Sequence, residues 1–408
     1  MKLPELLAPA GNYEKMLAAF RYGADAVYLA GEDFGMRSAA KNFSIEEIFK
    51  ANDYAHSIGK KVFLTVNTMP HGNEYPALKR FFKKLAKNPP DALIISDLGV
   101  FNLAGEMLPG VDRHVSTQAS AVSAATCNAW YKLGAKRVIL ARELTLEEII
   151  AIRKNTPKKL ELEAFIHGSM CISYSGRCLL SNYLTGRDSN RGSCTQPCRW
   201  NFVISEEKHA DDKLPVYQDH GTFIMSSRDM SMIEHIPELV ESGLSCLKIE
   251  GRMKSAYYAA VTTNTYRMAL DAYKKDPEGY RFDPAWNNEL DSVSHREYST
   301  GYFFSDIFEK PNLVTQGGYI REKAYLAEAI SENDENGYVE FIQHNKISCG
   351  DRAELLIPGL PGQGFDVDEI LDTEGVQILS APHPMQHFKI KVPYPVKPGY
   401  IIRGGGTK

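Results

Sequence analysis

The chain has 408 residues, 43% hydrophobic and 24% charged, with a formal charge of -4 at pH 7. That length suits a large barrel plus one modest domain, and the composition excludes a disordered chain and a chain with a membrane-crossing apolar run of about 18 residues. The mild acidity gives no overall attraction to nucleic acid, so any RNA binding must come from a local basic patch.

The N-terminal stretch MKLPELLAPAGNYEK lacks the apolar core and small-residue cleavage site of a secretory signal, which predicts a cytoplasmic protein. From there to about residue 255, short β-rich apolar runs alternate with longer amphipathic segments. The strand candidates are ELLAPAG from Glu5, DAVYLAG from Asp25, KVFLTVN from Lys61, ALIISD from Ala92, RHVSTQAS from Arg113, RVILAREL from Arg137, LELEAFIHG from Leu160 and SCLKIEGR from Ser245. Between them, Asn12 can cap a helix that Gly23 stops, and Ser44 with Glu47 forms a capping-box pattern. Eight such units predict a (β/α)8 TIM-like barrel, with a doubly wound open sheet as the competing arrangement.

In a barrel the chemistry sits on loops after the strands, and those ends are polar here: Asn67, Asp97, Gln118, Arg142, Glu143, His167, Glu250, Arg252 and Lys254. Loops after strands are polar in any case, so each residue alone says little. Between the seventh and eighth strands the chain spends roughly 75 residues, far more than a connection requires, so this is an insertion, placed at about 168–230. Its latter part, SEEKHADDKLPVYQDHGTF, reads as a surface hairpin. After the eighth strand SAYYAAVTTNTYRMALDAYKKD predicts a helix, followed by a connector rich in Pro, Gly and Asn. From about Lys323 short β runs (KAYLAEAI, GYVEFIQ, RAELLI, FDVDEIL, HFKIKV, GYIIRG) predict a small C-terminal all-β barrel or sandwich. The domains expected are 1–320 and 321–408.

Four of the seven cysteines fall in the insertion, as Cys171, Cys178, Cys194 and Cys198, with spacing C-x6-C-x15-C-x3-C. In a reducing compartment a local thiol cluster points to metal or redox chemistry, whereas Cys127, Cys246 and Cys349 sit singly and read as packing residues. Structural zinc favours pairs two to four residues apart, which only Cys194 and Cys198 satisfy; an iron–sulfur cluster is wider and suits unequal gaps. The spacing therefore favours a cluster, with zinc and unliganded thiols as the alternatives. Arg177, Arg187, Arg191 and Arg199 surround the thiols against one acid, Asp188. They can offset the charge of a cluster, about -2 in its oxidised form, or grip a carboxylate or phosphate. Gly168, Gly176, Gly186 and Gly192 let the backbone bend around the thiols. No H-E-x-x-H helix, G-x-S-x-G elbow or phosphate-cradling G-x-x-x-x-G-K-S/T loop occurs, so hydrolytic chemistry has no visible engine.

The stretches EAFIHGSMC (163–171) and GRCLLS (176–181) resemble the signature of the peptidase U32 family, the collagenase-like proteins. Further matches are ELLAPAG, GADAVYLAG, HVSTQAS, RVILARE, SNYLTGRDSNRGSC, LKIEGRMKS and SHREYSTGYF. Within the family, domain order and length are most similar to prephenate-dependent tRNA uridine hydroxylases, which install a 5-hydroxyl on the wobble uridine. The resemblance implies a four-iron, four-sulfur cluster on Cys171, Cys178, Cys194 and Cys198, a C-terminal β domain, prephenate as co-substrate and the anticodon loop of tRNA as partner, with a paralogous subunit of the family as a further candidate partner. Candidate catalytic residues are His167, Arg142, Glu250 and Arg252; candidate binding residues are Gln118, Arg177, Arg187, Arg191, Tyr174 and Lys254. Prephenate is a dicarboxylate that arginines such as Arg142 and Arg252 could hold, and an unstacked base could lie on Tyr174 or Trp200. A collagen-type peptidase and a zinc-stabilised RNA-binding module remain the rival readings.

Overall fold

The computed structural model describes residues 3–36, 42–200, 226–305, 312–314 and 319–404, and the backbone of two further strands within 203–215. The first seven expected strands form as β1 (Glu5–Pro9), β2 (Ala26–Ala30), β3 (Lys61–Val66), β4 (Ala92–Ile95), β5 (Asp112–Val115), β6 (Arg137–Ile139) and β7 (Glu161–Ser169). A hairpin of β8 (Val203–Glu206) and β9 (His209–Pro215) follows, then β10 (Asp229–Ser231). The expected surface hairpin is thus paired where it is described; residues 207–208 and 216–223 of that stretch lie outside the described residues. The eighth barrel strand is β11 (Cys246–Ile249), and β12 is Tyr298–Ser299.

β1 to β7 pair in order, all parallel, and β11 pairs in parallel with both β7 and β1. The ring is closed, so the open doubly wound sheet is excluded. Parallel strands covered on both faces need apolar side chains throughout, and Ala26–Ala30 and Ala92–Ile95 are buried at every position. Helices α1 (Tyr13–Arg21) and α2 (Ile45–Ser57) lie between strands as expected. Asn12 Oδ1 accepts the Lys15 amide at 2.9 Å, and Gly23 adopts φ +104°, the left-handed stop an L side chain resists. Ser44 and Glu47 close the capping box.

Most of the expected strands stop short of their sequence runs, those from Arg113, Arg137 and Ser245 most of all. The run from Arg113 leaves strand geometry after Val115 because Ser116 turns the chain into a 3-10 turn, Thr117–Ala119, accepting the Gln118 amide at 3.3 Å. The run from Arg137 ends as a strand at Ile139. At both places the chain leaves the ring for the rim.

The barrel interior carries a layer of charge. Arg137 bonds Glu5 at 3.1 Å, Glu161 at 2.7 Å and Glu163 at 3.0 Å, and Lys248 bonds Glu163 at 3.1 Å. Burial pushes the Glu163 carboxyl up, but Lys248 and Arg137 overcome it and hold the group below the usual carboxylate range. β7 is long enough to serve two neighbours: it pairs with β11 up to His167, and from His167 to Ser169 with antiparallel β10. β10 in turn pairs with β12.

Contacts divide the chain into two units, one of residues 1–20, 24–254 and 296–318, the other of residues 21–23, 255–295 and 319–408. In the second unit the expected helix forms over Ala256–Lys275, capped by Ser255, which accepts the Tyr258 amide at 3.1 Å. The connector beyond it holds a short helix the sequence did not announce, Ala285–Asp291, secured by tertiary packing: Trp286 stacks on Tyr280 at 6.1 Å, and Glu289 pairs with Arg403 at 2.6 Å. All six C-terminal β runs contribute strands to an eight-stranded antiparallel sheet. The run FDVDEIL divides into Gln363–Asp366 and Ile370–Leu371. Phe341, Phe388, Ile390 and Leu355 fill the core under the sheet, and no pairing among the described residues joins its two edge strands into a closed barrel.

Candidate functional site at the barrel mouth

The strand ends of the first unit open into a cavity of about 140 Å3. Its floor comes from Tyr28, Thr65, Ser116, Phe165 and Lys248, and its roof from the insertion, including all four clustered cysteines. Arg142, Glu250, Arg252, Gln118 and Tyr174, named from sequence, all line it.

Arg142 is held on three sides. Its guanidinium stacks 3.9 Å from the centre of the Phe165 ring, donates to the Ser169 carbonyl at 3.3 Å, and stands 3.6 Å from the Glu250 carboxylate. The Tyr28 hydroxyl donates to the Ile249 carbonyl at 3.2 Å and to Glu250 at 3.3 Å. Burial, reinforced by the Glu250 charge, pushes the Tyr28 phenol well above its ordinary range, so it stays protonated and donating. Arg142 Nε and Gln118 Oε1 are buried and hydrogen-bond no described residue. Arg252 is buried, donating to Thr65 at 3.2 Å, and the Lys248 ammonium lies 4.3 Å over the Tyr28 ring. Lys248 is paired with Glu163, so the charge balance of this wall comes from two guanidinium groups, Arg142 and Arg252, against the Glu250 carboxylate, a positive balance suited to an anion.

The insertion is bound to the rim by its backbone. Ser120 Oγ donates to the Ser175 carbonyl at 3.0 Å. Gly176, at φ +79°, passes so near Gln118 that a Cβ there would meet its carbonyl oxygen at 2.6 Å, so any side chain would lift the loop. Inside the insertion, Ser189 and Asn190 both donate to the Cys178 carbonyl, at 2.6 and 3.0 Å.

The four thiols share the cavity without disulfides. Burial pushes the Cys198 thiol up; Arg199 opposes this, and Cys171, Cys194 and Cys178 add to it, so all four lie within electrostatic reach. The Gln196 amide donates to Cys194 Sγ at 3.3 Å, the kind of bond that stabilises a metal-bound thiolate. Among the described residues no three His, Cys, Asp or Glu side chains are arranged to hold a single metal ion. Four thiols lining one cavity, one of them accepting a backbone amide, have the donor chemistry that a sulfur-ligated group takes.

Other residues named from sequence lie elsewhere. His167 is buried in β7 at the point where the strand changes partner, its ring 5.4 Å from that of Tyr298, and it does not line the cavity. Lys254 also lies outside the lining; burial pulls its ammonium down, opposed by Asp229. Arg191 is taken up by Glu74, and Arg177 and Arg187 are exposed on the insertion. Asp97 caps the helix Leu98–Met107, and burial pushes the Glu143 carboxyl up outside the lining. Lys248 and Tyr28 were missed. A lysine inside an apolar strand, as in CLKI, is the signal that could have found the first, because lysines are buried only when paired.

The family description "Peptidase family U32" matches residues 11–311, and "Peptidase family U32 C-terminal domain" matches residues 321–403. The chain is 35% identical to tRNA hydroxylation protein P1 of Bacillus subtilis over 404 residues, covering 99% of this chain and 95% of that one. It is 34% identical to tRNA hydroxylation protein P of Escherichia coli over 442 residues, covering 98% and 96%. A protein named collagenase from Porphyromonas gingivalis is 30% identical over 377 residues, covering 90% and 89%. With matches across both units and the signature cysteines in the roof of its cavity, the chain belongs to peptidase family U32.

Proposed function

We propose that the protein hydroxylates tRNA, adding a 5-hydroxyl to the wobble uridine with prephenate as co-substrate and a four-iron, four-sulfur cluster on Cys171, Cys178, Cys194 and Cys198. The observation that carries this reading is the sharing of one cavity by four thiols and the guanidinium groups of Arg142 and Arg252. Similarity to proteins named for tRNA hydroxylation supports the same chemistry. When bound, such a cluster supplies one-electron chemistry beside the cavity.

The chain's own residues bind and orient. Arg142, fixed on Phe165 and Ser169, turns a planar donor edge to a carboxylate, and Glu250 sets the angle of that edge. Arg252 adds the second cation a dicarboxylate requires. The base must leave its stack to reach so recessed a wall, and Tyr174, half exposed at the rim, offers a ring to receive it. No histidine among the described residues lines the cavity to activate a cysteine or serine, which favours hydroxylation over peptide cleavage. A tRNA substrate is in keeping with the cytoplasmic address expected from the sequence; among the described residues no helix is long and apolar enough to cross a membrane.

The test is deletion of the gene followed by nucleoside analysis of bulk tRNA. Loss of 5-hydroxyuridine derivatives, restored by the intact gene, is the expected result; unchanged levels in a strain without a second family member would sink the assignment.

A further inference from the structure

The cysteine insertion presents apolar and aromatic side chains to solvent that its own folding does not use. Helix Leu180–Thr185 is anchored through its polar face: Ser181 Oγ accepts the Thr195 amide at 3.1 Å, and Thr185 Oγ1 donates to the Ser181 carbonyl at 2.7 Å. The opposite side carries Tyr183, 90% exposed, and Leu179, 66% exposed, one helical turn apart, with Leu184 beside them. Single exposed apolar residues are ordinary, but three in six positions on a loop that roofs a cavity are not.

Charge distinguishes the kind of partner. Arg177 and Arg187 flank this helix, both exposed, and neither pairs with a described acid. The one acid of the block, Asp188, has its Oδ1 engaged by the Asn190 amide, and Arg191 is neutralised by Glu74. The patch therefore couples unpaired guanidinium groups to a bare phenol ring, while the chain as a whole is mildly acidic. An acidic or apolar protein face would complement only half of it. Single-stranded RNA complements both, since bases stack on aromatic rings and phosphates take the arginines.

We propose that Tyr183, with Leu179, Arg177 and Arg187, forms a docking surface for a single-stranded RNA loop, in which Tyr183 stacks on a base outside the cavity while the neighbouring nucleotide passes Tyr174 into it. Tyr174 is exposed and part of the cavity lining, and Leu180 at the start of the helix lines the same cavity, so the lining reaches the patch. This rests on the tRNA reading above and adds to it the surface and mode of capture. Because Tyr183 is almost wholly exposed, its replacement leaves the fold and the cysteines undisturbed.

The experiment measures binding of the full, anaerobically purified protein to a synthetic RNA hairpin and to the same stem closed as a duplex, across salt concentrations. Tyr183→Ala is expected to weaken hairpin binding about tenfold without affecting the duplex, with Tyr183→Trp restoring it. Arg177→Ala and Arg187→Ala should each reduce the slope of log affinity against log salt by about 0.7. Hairpin binding unchanged in Tyr183→Ala, or equal affinity for hairpin and duplex, overturns the proposal. So does a wild-type dimer that Tyr183→Ala dissociates with RNA affinity intact, which would give the face to a second copy. If the wild type hydroxylates tRNA while Tyr183→Ala loses nothing, only the docking surface fails; if cells lacking the gene keep their 5-hydroxyuridine, the functional reading fails with it.

Discussion

Arg191 and Glu74 form a two-pronged ion pair, Nη1 and Nη2 reaching the carboxylate oxygens at 2.9 and 2.8 Å, while Nη1 also donates to the Met69 carbonyl at 3.0 Å. The pair ties the cysteine insertion to the segment after β3, more than a hundred residues earlier in the chain. Hydrogen bonds from Arg191 and from the His71 amide hold the Glu74 carboxyl down to about 2. A depressed folded value means that the tie acts fully above the ordinary carboxylate range and is lost as pH falls toward 2. Both side chains are about one-third exposed, so Glu74→Gln should lower global stability by only about 0.5–1 kcal/mol. Hydrogen exchange should rise at residues 189–194; unchanged protection there would show that the insertion does not depend on the tie.

The thiols divide into two sets by environment. Cys171→Ser or Cys194→Ser is expected to abolish iron and acid-labile sulfide in protein purified without oxygen, because each removes one ligand of four. Cys127→Ser and Cys349→Ser should retain both, since one is buried on the inner face of the helix Ala124–Lys132 and the other packs against the C-terminal core. Metal analysis showing the opposite pattern would mean that a different set holds the group.

Arg142 presents a fork that lysine cannot copy. Arg142→Lys is expected to raise KM for the carboxylate co-substrate about tenfold with a smaller change in kcat, and Arg142→Ala to lower kcat/KM about a hundredfold. Steady-state kinetics at saturating tRNA check this. A lysine variant with native KM would remove Arg142 from carboxylate recognition.

Glu163 stands fully buried between Lys248 and Arg137, and its removal takes the buried carboxylate from Lys248 while Arg137 keeps Glu5 and Glu161. Glu163→Gln should destabilise the protein by about 3–5 kcal/mol in urea unfolding. Combining it with Lys248→Met should recover part of the loss, because one unpaired charge is removed. Equal instability of single and double variants would show that the network contributes through packing alone.

The eight barrel strands were legible as short, largely apolar runs, as parallel strands covered on both faces require, and the runs from Asp25 and Ala92 announce this directly, while Arg137, Glu163 and Lys248 are tolerated inside because they pair. The helix Ala285–Asp291 was not legible: it has seven residues and a proline at its N-cap that makes no capping bond, and it is secured by Trp286 on Tyr280 and Glu289 on Arg403. At the site, Arg142, Glu250, Arg252, Gln118 and Tyr174 were readable as polar residues at strand ends or in the insertion. His167 followed the same rule, yet its side chain packs on Tyr298 outside the cavity, because β7 continues past it to pair with β10. Strand position says how far along the barrel a residue lies; only neighbouring strands decide which way its side chain is used.

Periodicity, cysteine spacing and glycine placement, all local properties of the chain, determined the repeated strand–helix order and the gathering of four thiols in one insertion. Tertiary structure alone decided that Lys248 and Tyr28 join the cavity wall, that Arg191 serves as a tie and that Tyr183 faces water. The first two outcomes depend on groups distant in sequence meeting in space, and the third on which face of its helix the insertion packs inward; no local pattern encodes either.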